Sequence, residues 1–393
     1  MANIIDYCES ELRPFTEHPF SEVDSLVLSQ LAYIQFENAV PARMQRMGAP
    51  KLRDLYRAEL FAGMFEGIRV PQQNRELLAA CAANPRMRDI QLCGYVSQLD
   101  IAAEKQFAAV TYLLPDSTVY VAFRGTDGSL VGWKEDFNMA YQTPVPAQGQ
   151  AALYLAKALK VFSRSRFRVG GHSKGGNLAV FAAMQAPDSA KPRILDVFSH
   201  DGPGFRKDIF ASPAFASVSG QVRKTMPQSA VIGMLLQSQE QYTVVKSDEF
   251  WLGQHEPFSW QVENGSFSRA DAITDASEFL GETLADWLET LPDDKRQTLV
   301  DTVFSLLEAT GATTLDELSD NWQQSIAAVY EAGKALDEQT RSWLYSVFVQ
   351  LGQIAVKNID ILPAAGKAAW EKLQGFLGRS EKDAAAAEET AKA

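Results

Sequence analysis

The sequence predicts an α/β fold in which a mainly parallel, doubly wound sheet is preceded by helices and followed by an acidic helical region. The middle of the chain alternates short β-branched and aromatic runs with helical segments, which is typical of a parallel sheet with helices on both faces. Helical spacing replaces this alternation on either side. We therefore expect a helical segment packed on the core over residues 1–88, the sheet domain over 89–269, a helical region over 270–379 and a disordered tail over 380–393.

The N-terminal segment contains one strong helix signal. Ser21 and Asp24 have the spacing of a capping box, with Asp in place of the usual Glu. The apolar residues that follow recur at helical spacing, namely Val23, Leu26, Val27, Leu31 and Ile34. Residues 44–83 are also helix-prone, but Gly48, Pro50, Gly63 and Pro71 interrupt them.

The first three predicted strands lie at residues 90–96, 107–114 and 119–123, where β-branched and aromatic residues are concentrated. The Pro-Asp-Ser sequence at 115–117 has turn chemistry and should join the second and third strands as a hairpin. Elements then alternate, with helices predicted at 147–163 and 175–185 and strands at 167–170, 194–198, 222–226 and 242–245.

Beyond Gly265 we expect no further strands. The apolar residues there keep helical spacing, which predicts a series of amphipathic helices. These predicted helices lie at 273–288, 293–307, 315–336, 342–356 and 364–377.

The charge of the chain is divided unevenly. Of the 37 Lys and Arg and the 49 Asp and Glu residues, 27 of each sign lie in residues 1–269, whereas residues 270–393 hold 10 basic and 22 acidic ones. The net charge of −12 therefore belongs to the C-terminal helices, which we expect to serve solubility or to bind a protein partner. No cluster of Lys and Arg suits the phosphates of nucleic acid, so we expect no such partner.

Several features predict a soluble protein of the cytoplasm. Residues 1–9 lack the cationic start and the long apolar run of a secretory signal. The longest apolar stretch without charge, residues 342–356, is shorter than the roughly 20 residues that a transmembrane span needs. Cys8, Cys81 and Cys93 are odd in number and form no CxxC pair, so we expect a reducing compartment, no disulfide framework and no cysteine metal site.

The sharpest motif is Gly171-His172-Ser173-Lys174-Gly175, which follows a predicted strand and precedes a predicted helix. In this context G-x-S-x-G forms a nucleophile elbow, a tight turn that exposes the serine hydroxyl above the sheet. Both glycines are needed because a Cβ there would clash with the adjacent strand or helix, and the helix N-terminus stabilises negative charge beside the serine. We predict Ser173 as a nucleophile; the simpler alternative is a glycine-rich turn.

A second motif, Phe123-Arg124-Gly125-Thr126, stands at the end of an earlier predicted strand. Acyl transfer creates a tetrahedral oxyanion that needs two preorganised N–H donors. We predict the backbone N–H of Lys174, the residue after the nucleophile, as one donor. The backbone N–H of Thr126, alone or with its hydroxyl, is the predicted second donor, and Arg124 is interpreted as an ion-pair residue that holds this loop.

Together the two motifs resemble those of the class 3 lipases, a branch of the α/β-hydrolases. The whole chain is more similar still to a family of bacterial lipase-like proteins known as a domain of unknown function. The resemblance covers about residues 1–310 and is carried by the stretches 19–24, 121–126, 171–176, 227–233 and 254–260. It implies an α/β-hydrolase fold and a catalytic serine, and it brings no established substrate.

Four histidines are available as the general base. His172 lies inside the elbow, where that side chain normally packs below the turn, and His18 lies far upstream of the sheet. His200 follows the strand predicted at 194–198. His255 comes after the last predicted strand, where the α/β-hydrolase order Ser…Asp…His places the base. We therefore predict His255 as the general base, against the simpler reading of a surface or core histidine.

The triad acid is the residue that the sequence determines least. Class 3 lipases carry their Asp in the segment that corresponds to residues 226–233, and this segment contains no carboxylate. Asp201 follows the preceding strand, where some α/β-hydrolases place the acid, and we predict it as the residue that orients His255. Asp248, close to His255 in sequence, and a dyad without an acid are the open alternatives.

These residues predict a serine hydrolase of the esterase or lipase type that cleaves a carboxylic ester of a small molecule or lipid. Neither a paired metal-ligand motif nor a nucleotide-binding glycine loop follows a strand, so we expect neither a metal nor a cofactor. The alternative is a catalytically silent α/β-hydrolase scaffold that binds a protein through its acidic helices. Residues 130–139 are interpreted either as a lid over the site or as a peripheral packing helix.

Overall fold

The computed structural model describes residues 1–236, 241–314, 317–318, 321–334 and 336–344. The chain divides into two compact units, Met1–Ala332 and Gly333–Ala393. In the second unit residues 338–344 are helical. The helix expected at 364–377, the tail expected at 380–393 and most of the helix expected at 342–356 lie outside the described residues.

A seven-stranded sheet forms the centre of the first unit, and its strands are neighbours in the order in which they occur along the chain. Strands β1 to β3 are antiparallel, and β3 to β7 are parallel. The prediction of a mainly parallel α/β sheet is therefore confirmed. The strands are β1 Gln91–Asp100, β2 Lys105–Leu113, β3 Val119–Phe123, β4 Phe167–His172, β5 Ile194–His200, β6 Val222–Pro227 and β7 Tyr242–Val245.

A small hairpin follows the sheet and corrects one expectation. Strands β8 Val262–Glu263 and β9 Ser266–Phe267 pair antiparallel across a turn in which Asn264 and Gly265 both have positive φ. The expectation that strands stop at Gly265 was wrong, because two-residue strands on either side of such a turn are too short to show period-two alternation.

Helices and short 3₁₀ turns connect the strands. Helix α2 begins at the capping box that the sequence predicts, since the Ser21 hydroxyl accepts from the Asp24 backbone and the Asp24 carboxylate accepts from the Ser21 backbone. The described α-helices are α1 Ile4–Ser10, α2 Glu22–Leu31, α3 Leu52–Leu55, α4 Phe61–Phe65, α5 Pro71–Ala83, α6 Leu130–Asn138, α7 Pro146–Val161, α8 Lys174–Met184, α9 Lys207–Phe210, α10 Pro213–Ala216, α11 Asp275–Thr290, α12 Asp293–Glu308 and α13 Trp322–Lys334.

The two faces of the sheet are covered by helices of different origin. The strands lie in the sheet in the same order as in the chain, and right-handed crossovers between such strands place their helices on one face. Helices α7 and α8 share one hydrophobic cluster with Val121 and Val169. The opposite face packs against the N-terminal helices α1, α2 and α5, whose cluster includes Tyr112 and Tyr120. The N-terminal segment thus supplies the second helical layer of the sheet.

Buried polar contacts fix the N-terminal helices against each other and against the sheet. The Arg86 guanidinium donates to both carboxylate oxygens of Asp24, at 2.6 and 2.9 Å, and both side chains are fully buried. The Tyr120 hydroxyl bonds with the hydroxyls of Ser25 and Ser29 at 2.8 Å each. Because an unpaired buried charge is costly, the Arg86–Asp24 pair specifies how these helices dock.

The three cysteines are buried free thiols, and two of them are neighbours, with 3.6 Å between the sulfurs of Cys8 and Cys81. Among the described helices, none combines the length and the apolar character that crossing a bilayer requires.

Candidate active site

Ser173 occupies a strained turn between strand β4 and helix α8. Its backbone has φ +58° and ψ −134°, a conformation that a residue with a side chain adopts only under constraint. A Cβ added to Gly171 would lie 2.3 Å from the carbonyl carbon of Gly175, and one added to Gly175 would lie 2.1 Å from the Phe123 oxygen. The strand, turn and helix that G-x-S-x-G needs are therefore all present, and both glycines are required by the space available.

The turn that carries Thr126 lies at the same edge of the sheet as Ser173. Strands β3 and β4 are parallel neighbours, and Phe123 pairs with Gly171, so both chains leave the sheet side by side. A Cβ at Gly125 would lie only 3.0 Å from the Ser173 Cβ. Lys174 is the first residue of α8, where backbone N–H groups have no helical partner and favour negative charge.

His255 is hydrogen bonded to Asp201. Its Nδ1 lies 2.6 Å from Asp201 Oδ2, and Asp201 is fully buried after strand β5. The other carboxylate oxygen, Oδ1, accepts the backbone N–H of Gly233 at 3.0 Å. Because Nδ1–H donates to the carboxylate, the neutral imidazole has its lone pair on Nε2, the nitrogen that a general base needs.

Gly233 makes room for this carboxylate. A Cβ at Gly233 would lie 2.3 Å from Asp201 Oδ1. The segment 227–233, which has no carboxylate of its own, therefore contributes a backbone donor to the acid. Asp248 faces elsewhere and accepts a hydrogen bond from Gln261 Nε2 at 2.6 Å. Of the two carboxylates named from the sequence, the structure brings Asp201 to His255.

His172 connects the elbow to the loop of His255. Its Nε2 donates to the His255 carbonyl oxygen at 2.8 Å, its Nδ1 accepts from the Tyr33 hydroxyl at 3.1 Å, and the two imidazole centroids are 4.5 Å apart. Burial lowers the pKa of His172 well below its usual range, so this ring is neutral. Since His172 directly precedes Ser173, these contacts connect the loop that carries His255 to the nucleophile elbow.

Ser173 Oγ makes no hydrogen bond to a described residue. Hydrogen bonds between a nucleophile and its base are often long before substrate binds, so the arrangement remains compatible with a triad. The other two histidines lie outside it. His200 Nε2 bonds with the Ser25 hydroxyl at 2.9 Å, and burial lowers its pKa to about 3. His18 Nδ1 lies 3.3 Å from a Glu11 carboxylate oxygen.

The side chain of Lys174 enters a buried charge cluster that sequence reasoning missed. Its Nζ lies 3.1 Å from Glu135 Oε2 and 3.6 Å from Asp136 Oδ1, and it donates to the Gln106 carbonyl at 3.1 Å. Both Lys174 and Glu135 are fully buried. The sequence signal for this cluster is a lysine at the start of an otherwise apolar helix, because a buried ammonium group needs a carboxylate partner.

Asp136 links this cluster to the predicted oxyanion turn. The Thr126 hydroxyl donates to Asp136 Oδ2 at 2.5 Å. Burial raises the pKa of Asp136 to about 6, against the opposing effects of Lys174 and Thr126. The helix that carries both carboxylates, α6, packs against β2 and α12. Within the described part of the chain, no group of three or more His, Cys, Asp or Glu side chains is arranged to hold a metal ion.

The mainly parallel sheet and its flanking helices define an α/β-hydrolase fold. The chain belongs to the Mbeg1-like family, whose family model matches residues 81–305, more than half of its length. No protein in the curated set matches the sequence.

Several lipase structures are similar to the chain at low identity. A triacylglycerol lipase with a serine-protease triad is 15% identical, with a TM-score of 0.34 over 57% of this chain and 77% of that one. M37 lipase is 14% identical, with a TM-score of 0.35 over 55% and 70%. Rhizomucor miehei lipase, in its propeptide complex, is 16% identical, with a TM-score of 0.31 over 44% of this chain. The chain spans 59% of that Rhizomucor chain.

Proposed function

We propose that this protein is a serine hydrolase that cleaves a carboxylic ester through an acyl-enzyme on Ser173. The observation that carries the proposal is the 2.6 Å hydrogen bond between His255 Nδ1 and the buried Asp201 carboxylate, next to a serine in the strained turn of a nucleophile elbow. A nucleophile, a base and a group that orients the base together make up the triad.

The first half of the proposed reaction acylates the serine. Ser173 Oγ attacks the acyl carbon while its proton passes to His255 Nε2, and Asp201 stabilises the resulting imidazolium. The carbonyl oxygen becomes an oxyanion that accepts from the backbone N–H groups of Lys174 and Thr126. When the intermediate collapses, the bond between the acyl carbon and the alcohol oxygen breaks, and His255 gives its proton to the departing alkoxide.

The second half releases the acid. Water attacks the acyl carbon, His255 Nε2 takes one water proton, and a second tetrahedral intermediate forms in the same oxyanion site. Its collapse breaks the bond to Ser173 Oγ, which recovers a proton from His255. The products are one alcohol and one carboxylic acid, and the protein returns to its starting protonation state.

The contact between Asp201 and His255 favours this proposal over a catalytically silent scaffold. A silent scaffold is suggested by the missing carboxylate in residues 226–233. That carboxylate is not needed here, because Asp201 follows the preceding strand and the segment donates the Gly233 N–H to it. From the sequence alone, we also propose a cytoplasmic location and a protein-binding surface on the acidic C-terminal helices.

A fluorophosphonate probe tests the function, because it reacts with an activated serine. We expect labelling of the native chain and of Ser217→Ala, which changes an exposed serine, and no labelling of Ser173→Ala. Hydrolysis of a p-nitrophenyl ester should be lost in Ser173→Ala and retained in the native chain and in Ser217→Ala. Equal labelling or equal hydrolysis in native and Ser173→Ala proteins, with both shown to be folded, would refute the proposal.

A further inference from the structure

A cavity of about 260 Å³ with a mixed polar and apolar lining lies beside the predicted oxyanion turn. Tyr33, Arg69, Arg124 and Asp127 are among the residues that line it. The volume is slightly below the range of roughly 300–1,000 Å³ that is common for whole small-molecule sites, so it suits one group of a ligand.

The cavity reaches the neighbourhood of the nucleophile through Tyr33. The Tyr33 hydroxyl would lie 2.2 Å from a Cβ at Gly125, and that same Cβ would lie 3.0 Å from the Ser173 Cβ. The hydroxyl also bonds with His172, the residue before Ser173. A group held in the cavity is therefore close enough to belong to a molecule whose ester reacts at Ser173.

Arg124 is a buried arginine in the lining of this cavity. The residue is 5% exposed, and its Nε has no hydrogen-bond partner among the described residues. One of its terminal nitrogens pairs with Asp127 at 3.2 Å. A buried guanidinium N–H that lacks an acceptor costs free energy, so an acceptor supplied by a ligand would be favourable.

Arg69 adds a second guanidinium, which forms no hydrogen bond or ion pair with a described residue. The lining contains two arginines and one aspartate, Asp127, so its side chains carry a net positive charge. Glu256, which is not among the lining residues, interacts electrostatically with Arg69, and burial raises the pKa of its carboxyl.

We propose that this cavity binds an anionic group, a phosphate or a carboxylate, of the ester substrate. This inference rests on the proposed function and specifies its substrate class. The guanidinium groups of Arg69 and Arg124 donate to the oxygens of the anion, a geometry for which arginine is well suited. The ester of the same molecule lies at Ser173, so a charged ester is the better substrate.

Direct binding tests the site without any need for hydrolysis. Inorganic phosphate and acetate are titrated into the full chain by calorimetry, in parallel with Arg69→Gln, Arg69→Lys and Arg164→Gln. Arg164 is an exposed arginine that precedes β4, at the strand end opposite to Ser173, so it controls for the change in net charge. We expect saturable binding of at least one anion, weakened about tenfold or more by Arg69→Gln, less by Arg69→Lys and hardly by Arg164→Gln.

A kinetic arm compares two butyryl esters, one of glycerol and one of glycerol 3-phosphate. We expect the native chain to favour the phosphate ester in kcat/KM and Arg69→Gln to lose about tenfold of that preference. Binding of acetate in place of phosphate would identify the group as a carboxylate, and a succinate monoester would then replace the phosphate ester.

Two results would overturn the inference: no saturable binding of either anion, or equal weakening by Arg69→Gln and Arg164→Gln. Neither result depends on ester hydrolysis, because both come from the binding titrations, and circular dichroism checks that each variant is folded. If neither ester is hydrolysed, the proposed function fails, and the calorimetric arm still decides whether the anion site exists.

Discussion

Two buried carboxylates close to the nucleophile elbow are paired with different kinds of partner. On one side Asp201 holds the imidazole of His255, whose side chain is 18% exposed. On the other side Glu135 holds the ammonium of Lys174, and both of these side chains are fully buried. An imidazole is the side chain that most often transfers protons in catalysis, whereas an ion pair between two fully buried groups serves mainly to hold segments together.

This difference assigns the first pair to the proposed reaction and the second pair to the stability of the fold. The proposed reaction requires His255 to change its protonation state twice for each ester cleaved, with Asp201 stabilising the charged form. The Lys174 cluster joins the helix after the nucleophile to α6, and through Asp136 it also holds the Thr126 hydroxyl. We therefore expect changes on the Asp201 side to reduce activity with little loss of stability, and changes on the Lys174 side to reduce stability first.

Asp201→Asn should have the largest effect. The amide preserves the shape of the side chain but cannot stabilise the imidazolium, and it favours the wrong tautomer of His255. We expect kcat/KM for a p-nitrophenyl ester to fall about 10³- to 10⁴-fold, with a much smaller change in the urea midpoint.

Asp248→Asn is the matched control for that variant. Asp248 pairs with Gln261, away from His255, so its replacement should leave kcat/KM within about twofold of the native value. Similar losses in the two variants would remove Asp201 from the proposed triad.

Lys174→Met should lower the free energy of unfolding by about 3–5 kcal/mol, because it leaves the buried Glu135 and its neighbour Asp136 without their cation. Urea denaturation of native, Lys174→Met and Lys174→Met/Glu135→Gln proteins measures this effect. The double variant should recover much of the loss, since it removes the uncompensated charge. A loss below about 1 kcal/mol in the single variant would show that the pair does not stabilise the elbow.

Asp136 should make stability depend on pH in the direction opposite to an ordinary salt-bridged aspartate. Its pKa is raised to about 6, so the folded state binds this proton more tightly than the unfolded chain does. The stabilisation is complete below about pH 4 and is lost as the pH rises through 6, at most about 3 kcal/mol. Compared with native protein, Asp136→Asn should therefore gain stability between pH 4 and 7.

Denaturation curves of the native and Asp136→Asn proteins at several pH values measure that difference. Parallel pH profiles for the two proteins would mean that Asp136 titrates with an ordinary carboxyl pKa.

The sequence could predict the parts of the site that depend on local pattern. The glycines around Ser173, the strand before it and the helix after it are all encoded within a few residues, and the elbow geometry follows from them. The order of strands also placed His255 after the last strand of the central sheet and Asp201 after an earlier one. Since parallel strands end at one edge of the sheet, residues that follow them can meet.

The parts that the sequence could not predict depend on packing between distant segments. Tyr33 lies 139 positions from His172, and Glu135 lies 39 from Lys174. No local period links such pairs, and the hydrogen bond that brings Asp201, rather than Asp248, to His255 is visible only in three dimensions. The N-terminal layer was expected to be helical, but its docking on the second face of the sheet follows from strand order and buried pairs such as Arg86 with Asp24.

Trapping of the acyl-enzyme tests the central claim most directly. Native chain, Ser173→Ala and Asp201→Asn are mixed rapidly with a p-nitrophenyl ester, quenched in acid and analysed by intact and peptide mass spectrometry. We expect one acyl adduct per native chain, located on the peptide that contains Ser173, with slower formation in Asp201→Asn and none in Ser173→Ala. An adduct on another residue, or ester hydrolysis that persists in folded Ser173→Ala, would contradict it.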